Sequence, residues 1–204
     1  MSSAVIVSFA RTPIGRFRGS LSSLTAPQLG SVAIKGALAR IDAGGGEGPV
    51  IAEAVMGNVV SAGIGQAPCR QAVLGSGLPQ STVCTTVNKV CASGMKAVGL
   101  SAQAVAAGSL PLNMAMIAGG MESMSNIPHY LPSARGGTSL GHGTVLDGII
   151  HDGLWDVYND QHMGMCAEKC ASDYGISREV QDAYCVESYR RCVQGQSSSS
   201  VCGL

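Results

Sequence analysis

The chain has 204 residues, of which 46% are hydrophobic and 13% charged, and its thirteen basic side chains balance thirteen acidic ones. A net charge of zero gives no pull toward nucleic acid or an anionic membrane, and no apolar run reaches the length of a membrane span. Sparse charge and 28 glycines suit a tightly packed α/β protein rich in turns, of a size to bury a real core.

In chain order, Ala4 to Phe9 is short and apolar and predicts the first strand. It is too brief for a signal-peptide core, and Arg11-Thr12-Pro13 breaks it at once, so the expected location is cytoplasmic. A Gly/Ser-rich loop follows to Ser23. Thr25 predicts the cap of a helix running to about Ile41, with Leu29, Val32, Ala33, Ala37 and Leu38 as its apolar side. The run Asp42 to Pro49 reads as a turn rather than a phosphate cradle, because no Lys-Ser/Thr follows it. Ala54 to Val60 predicts a second strand, Pro68 to Leu74 a short helix, and Val83 to Val87 a buried strand. Met95, Val98, Ala102 and Val105 then recur at helical spacing, and Met114 to Ala118 predicts another strand. This alternation implies βαβ crossovers and a parallel-rich sheet covered on both faces.

Cys91 sits where the 83–87 strand hands over to that helix. The first turn of a helix points free N–H groups and the positive end of its dipole at whatever lies there, which favours a thiolate. The placement therefore suits a nucleophile, against the plainer alternative of a buried, inert thiol. Ala92, Ser93 and Gly94 are small and leave room for a substrate carbonyl. Gly119-Gly120-Met121-Glu122-Ser123, just past a strand end, fits a ligand contact or a tight turn equally well. Residues 126–161 break the alternation and hold three of the four histidines. Long irregular stretches of this kind inside compact domains are usually functional or disordered. Gly164 to Tyr174 predicts one helix, with His162 placed to cap its start, and Ser177 caps another from Arg178 to about Val193. Gln194 onward is low-complexity tail. The eight cysteines show no Cys-x-x-Cys or Cys/His zinc spacing, so neither a metal nor a disulfide is expected of them.

Four stretches, in this order, resemble the thiolases: Val7 to Gly15, Val87-Asn88-Lys89-Val90-Cys91-Ala92-Ser93-Gly94-Met95-Lys96-Ala97-Val98, Ala118 to Ser125, and Gln161 to Glu168. The resemblance covers about residues 4–192 and is closest to the acetoacetyl-CoA thiolases, that is, acetyl-CoA C-acetyltransferases. It implies an N-terminal core domain at 1–121, an inserted loop domain with its following helices at 122–193, and a disordered tail at 194–204. The sheet would be mixed and covered by helices, and the family's second core domain is absent from these residues. It implies condensation of two acetyl-CoA, or the reverse thiolysis, through an acetyl group on Cys91. By the same resemblance Leu154, His162 and Met163 line the pantetheine arm of CoA. Tyr189 matches a tyrosine that contacts CoA and helps hold a potassium ion; no other cofactor is implied. Acetyl-CoA and coenzyme A are the implied partners, and a homo-oligomer, tetrameric in the family, the implied assembly. The family's second cysteine and activating histidine lie in segments resembling Cys-x-Gly-Gly-Gly and Gly-His-Pro, and neither segment occurs here. These 204 residues are thus expected not to turn over alone, the alternative function being a non-catalytic assembly partner or CoA-thioester binder.

Overall fold

Three short apolar segments form the middle layer. In a computed structural model, which describes residues 3–42, 48–111, 113–137 and 140–197, β1 (Val50–Gly57), β2 (Val83–Val87) and β3 (Met114–Gly120) pair in the order β2-β1-β3. Both pairings are parallel, so each crossover must carry a helix over one face of the sheet. Antiparallel pairing among the described residues is confined to two ladders of two residues per strand, β4 (His129–Tyr130) with β5 (Leu146–Asp147), and β6 (Trp155–Asp156) with β7 (Gln161–His162).

The period of two along β1 divides the layers. Ala54 and Met56 point into the main core, which they share with Ala26 and Ile34 of α1 (Ala26–Asp42) and with Cys69, Ala72 and Val73 of α2 (Pro68–Gly75). The alternate residue Gly57 faces α3 (Ser93–Ala106) on the other side. Helix α1 starts where the sequence says it should. Gln28 N–H donates to Thr25 Oγ1 at 3.4 Å and Thr25 N–H donates to Gln28 Oε1 at 2.8 Å, a reciprocal capping box. Its buried face, however, is Ala26, Gly30, Ser31 and Ile34, not the Leu29/Val32 side that apolar spacing suggests. Close approach decides this: a Cβ on Gly30 would lie 2.7 Å from Met121 Sδ and 3.1 Å from Ala72 Cβ.

Helix α3 shows the same preference. It buries Ser93, Ala97 and Ser101 against the sheet, while Met95 and Val98 stand 80% and 42% exposed. Small residues let the helix axis approach the strands, and the larger apolar side chains are turned outward.

The expected first strand is not formed. Ala4 to Phe9 has no ladder partner among the described residues, and Val5, Ile6, Val7 and Phe9 are all exposed. A β-prone sequence is stable as a strand only on a pleated surface that accepts it. Here the segment lies instead along the end of α1, where Ser8 Oγ donates to Ala37 O at 2.7 Å and Arg40 donates to Phe9 O while its guanidinium covers the Phe9 ring.

Beyond β3 the chain makes short turns, the two small ladders and one turn of π-helix at Ile150–Leu154 before α4 (Met163–Asp173) and α5 (Arg178–Ser197). Residues 194–197, expected in a tail, are helical instead, since α5 continues through Ser197; residues 198–204, and 43–47 of the expected turn, lie outside the described residues. No helix among the described residues is long and apolar enough to cross a membrane.

Candidate active site

Gly57 pairs with Val87 on one side and Gly120 on the other, so the three strands end in line. The loops 58–60, 88–92 and 121–123 therefore leave the same edge of the sheet, the edge at which open parallel sheets collect ligands. Cys91 is in the middle loop and is exposed. Helix α3 begins two residues later and rests directly on the strand ends. A Cβ on Gly57 would lie 2.5 Å from Ser93 C and 2.7 Å from Gly94 N, and one on Gly120 would lie 3.2 Å from Gly94 Cα.

The loop that carries Cys91 is tightly wound. Val90 has φ 49°, a left-handed conformation that a β-branched residue adopts only under constraint, at a cost of about 1–3 kcal/mol. Hydrogen bonds supply the constraint. Val90 N–H donates to Asn88 Oδ1 at 2.9 Å, Lys89 N–H donates to Ser93 Oγ at 2.9 Å, and Ser93 Oγ–H donates to Val90 O at 2.6 Å. Asn88 Nδ2 also donates to Val59 O at 3.1 Å, tying the loop to the one that follows β1.

That second loop is held in turn by Glu122. Its carboxylate accepts from Val59 N–H at 2.8 Å, Val60 N–H at 3.2 Å and Asn58 Nδ2 at 3.0 Å. Burial pushes the Glu122 carboxyl above its ordinary range, and the three N–H donors pull the other way without cancelling it. Of the two readings open for residues 119–123, the tight turn is not formed: 119–120 end β3, 121–123 run on as irregular backbone, and Glu122 and Ser123 line the groove described below. Ser123, Ser125 and Asn126 stitch the 16–24 loop to the same edge: Ser123 Oγ donates to Leu24 O at 2.8 Å, Asn126 Nδ2 donates to Ser22 O at 2.9 Å, and Arg18 N–H donates to Ser125 Oγ at 2.9 Å. Between these segments lies a groove of about 560 Å³ lined by Pro13, Ile14, Phe17, Leu29, Met124 and Ile149 among others; Cys91 does not line it. Sequence pattern gave no sign of this groove, since its walls come from loops without periodicity.

Leu154, His162 and Met163 are brought together. Leu154 ends the π-helical turn and leads into β6, where Trp155 pairs with His162 of β7, and Met163 opens α4. His162 caps that helix, its Nδ1 accepting from Gly164 N–H at 2.9 Å. Gly153 reaches Val60 (3.6 Å from an ideal Cβ to Val60 Cγ2), so this cluster abuts the loop that Asn88 grips. Tyr189 is not brought in. It stands 76% exposed on α5, and every residue of that helix from Arg178 to Gln194 except Glu187 is exposed. Its hydroxyl makes no hydrogen bond among the described residues, which also contain no cluster of three His, Cys, Asp or Glu able to hold a metal. A hard cation needs a cage of oxygens, so the residues present do not by themselves fit a potassium ion at Tyr189.

The description "Thiolase, N-terminal domain" matches residues 4–200. Acetyl-CoA acetyltransferase 1 of Arabidopsis thaliana is 55% identical over 193 residues, which cover 95% of this chain and 45% of that relative. The cytosolic acetyl-CoA acetyltransferase of Gibberella zeae is 53% identical, covering 91% of this chain and 46% of that relative. The mitochondrial acetyl-CoA acetyltransferase of Bos taurus is 54% identical, covering 94% and 43%. Among solved structures, the crystal structure of Acat5 thiolase from Ascaris suum in complex with coenzyme A superposes with a TM-score of 0.87 at 42% identity, covering 96% of this chain and 49% of that one. The chain spans about half the length of the curated relatives it matches.

Proposed function

This chain belongs to the thiolase family, and on that premise we propose that it carries the acyl-accepting half of an acetyl-CoA C-acetyltransferase site, with Cys91 as the nucleophile. The observation that carries the proposal is the exposed Cys91 thiol on a strained turn ahead of α3, at the edge where all three strands end. In the proposed step Cys91 gives its thiol proton to solvent and the thiolate attacks the thioester carbonyl of acetyl-CoA; the bond to the CoA sulfur breaks, CoA leaves as a thiolate that takes a proton from solvent, and the acetyl group stays on Cys91. The Cys91 backbone N–H is the oxyanion donor we assign to this chain. The CoA bound in the Ascaris structure supports a CoA thioester as the substrate class. We assign Leu154, His162 and Met163 to the pantetheine arm on the resemblance of residues 161–168 to the family, and their clustering in this fold supports that reading. Condensation further needs a base to take the α-proton of a second acetyl-CoA. The residues described here bear on the acyl-enzyme step, and that step is the part of the reaction we assign to them. Potassium at Tyr189 would need oxygens from elsewhere and takes no part in this step. The name of the Gibberella relative favours the cytosol as the compartment, and that of the Bos taurus relative is the counter-case; a fluorescent fusion of the gene product decides between them.

The test is acid-quenched incubation of the full chain, co-expressed with the remaining half of a close relative, with acetyl-CoA, followed by digestion and mass spectrometry. We expect an acetyl group on the peptide containing Cys91 and none after Cys91→Ser. Acetylation confined to another residue, or surviving in C91S, would overturn the assignment.

A further inference from the structure

We propose that Asn88 is a positioning residue, whose side-chain amide holds the left-handed Val90 turn and so presents Cys91, with the half-buried Glu122 carboxylate as its remote anchor. The inference rests on Cys91 as the reacting thiol.

One side chain makes both bonds that matter. Its Oδ1 accepts from Val90 N–H at 2.9 Å, an Asx-type turn that reaches the residue adjoining Cys91. Its Nδ2 donates to Val59 O at 3.1 Å, which fixes the amide itself. Val59 is not free to drift, because its N–H donates to Glu122 Oε2 at 2.8 Å and the next N–H, of Val60, donates to Oε1 at 3.2 Å. Asn58, 2% exposed, completes the clasp by donating to Glu122 Oε1 at 3.0 Å and to Met121 O at 3.2 Å. The chain of contacts therefore runs from the end of β3, through the end of β1, to the loop after β2, and it crosses all three strand ends. On the far side of Val90, Ser93 closes the same turn from within the helix, accepting from Lys89 N–H and donating to Val90 O. Val90 is held from both sides at φ 49°, and Asn88 supplies the side-chain hydrogen bond that ties that turn to the loop after β1.

A β-branched residue released from such a turn relaxes to negative φ, and the peptide plane leading into Cys91 rotates with it. An ångström of misplacement at a reacting atom costs on the order of a hundredfold in rate. Asn88→Ala in the full chain should therefore slow acetylation of Cys91 by about ten- to a hundredfold. It should also slow alkylation of Cys91 by iodoacetamide relative to Cys170, an exposed thiol on α4 that serves as internal standard. Two further variants separate positioning from bulk stability. Asn88→Asp keeps the acceptor for Val90 N–H but loses the bond to Val59 O, so its rate should fall between those of the parent and N88A. V90G removes the steric penalty of positive φ, so N88A should cost much less in the V90G background than in the parent. Thermal unfolding is recorded for each protein. The inference is overturned if N88A leaves Cys91 alkylation unchanged, if N88D is as slow as N88A, or if the N88A deficit is the same with and without V90G. Should N88A fail to fold, the comparison of N88D with the parent and with V90G decides on the same alkylation readout. Alkylation does not require acyl transfer, so a failure of the Cys91 assignment and a failure of the Asn88 inference give different results.

Discussion

At the scale of single residues, the seven described cysteines occupy very different surroundings, and their chemistry should sort accordingly. Cys91 is exposed two residues ahead of α3, at the positive end of that helix's dipole. Cys69 is fully buried, and burial pushes its thiol up to about 12. Brief iodoacetamide treatment with mass spectrometric mapping should label Cys91 first and Cys69 last; equal labelling of Cys91 and the helix thiols Cys170, Cys185 and Cys192 would count against a special environment at Cys91. The Cys69 shift has a further consequence for alkaline stability. The unfolded thiol ionises near 9.0, while the folded one keeps its proton to about 12, so the unfolded state binds fewer protons across that window and folding stability falls as pH rises through it. Replacing Cys69 by Ala should flatten the fall in melting temperature above pH 9 relative to the parent protein. Identical slopes would show that Cys69 does not carry the effect. Cys91 could be picked out in the sequence because small residues and a strand–helix junction surround it. The Val90 turn could not, since a β-branched residue carries no preference for positive φ and is placed there by Asn88 and Ser93.

At the scale of elements, Val83–Val87 as a strand and α1 as a helix were legible because their signals are local: an apolar β-branched run for one, and a Thr-x-x-Gln capping box for the other. The strand is not the buried one expected, since β2 lies at the sheet edge and leaves Val83 and Thr85 exposed. What the pattern could not show is which face of a helix goes inward when both carry apolar residues. In α1 and α3 the answer is the face with the smaller side chains, because the backbone comes so close to its neighbours. Nor could it show that Ala4–Phe9 lacks a partner, since pairing depends on what the sheet edge offers. The closest approach to a neighbouring backbone is at Gly57, where the atoms a Cβ would meet are those of Ser93 and Gly94 rather than a side-chain tip that could turn aside. Gly57→Ala must push the first turn of α3 off the strand ends, at a cost of about 1–3 kcal/mol or more. Chemical denaturation should show that loss together with a lower rate of Cys91 alkylation. A variant as stable as the parent would mean the helix can slide without penalty. At Gly99, where an added Cβ meets nothing within 4 Å, the same substitution on the same helix should be neutral or slightly stabilising, and so serves as the control.

At the scale of the whole molecule, the arrangement leaves much apolar surface without cover. Val5, Ile6, Val7 and Phe9 near the start, Met95 and Val98 on α3, and Val180, Tyr184, Tyr189 and Val193 on α5 are all exposed. Both edges of the three-stranded sheet, the outer sides of β2 and β3, lack a partner strand among the described residues. Unpaired edges are templates for association, and contiguous apolar patches drive it. The ion pairs on α5, Arg178–Asp182 and Glu187 with Arg190 and Arg191, are exposed and add little to stability. Net folding stability is a small difference between large terms, so a protein that leaves this much surface uncovered has little margin. A polypeptide of these 204 residues, expressed on its own, should therefore elute from size-exclusion chromatography as aggregate or show a broad, weakly cooperative thermal transition. It should also give no measurable acetoacetyl-CoA synthesis or thiolysis, because Cys91 has no second cysteine or histidine of the family's kind among these residues to move the α-proton. Adding the remaining half of a close relative as a separate polypeptide offers the discriminating arm. If uncovered surface is the cause, co-expression should restore a sharp transition. A soluble monomer that melts sharply by itself would show that the described core is sufficient, and would favour a binding role for these residues over a catalytic one.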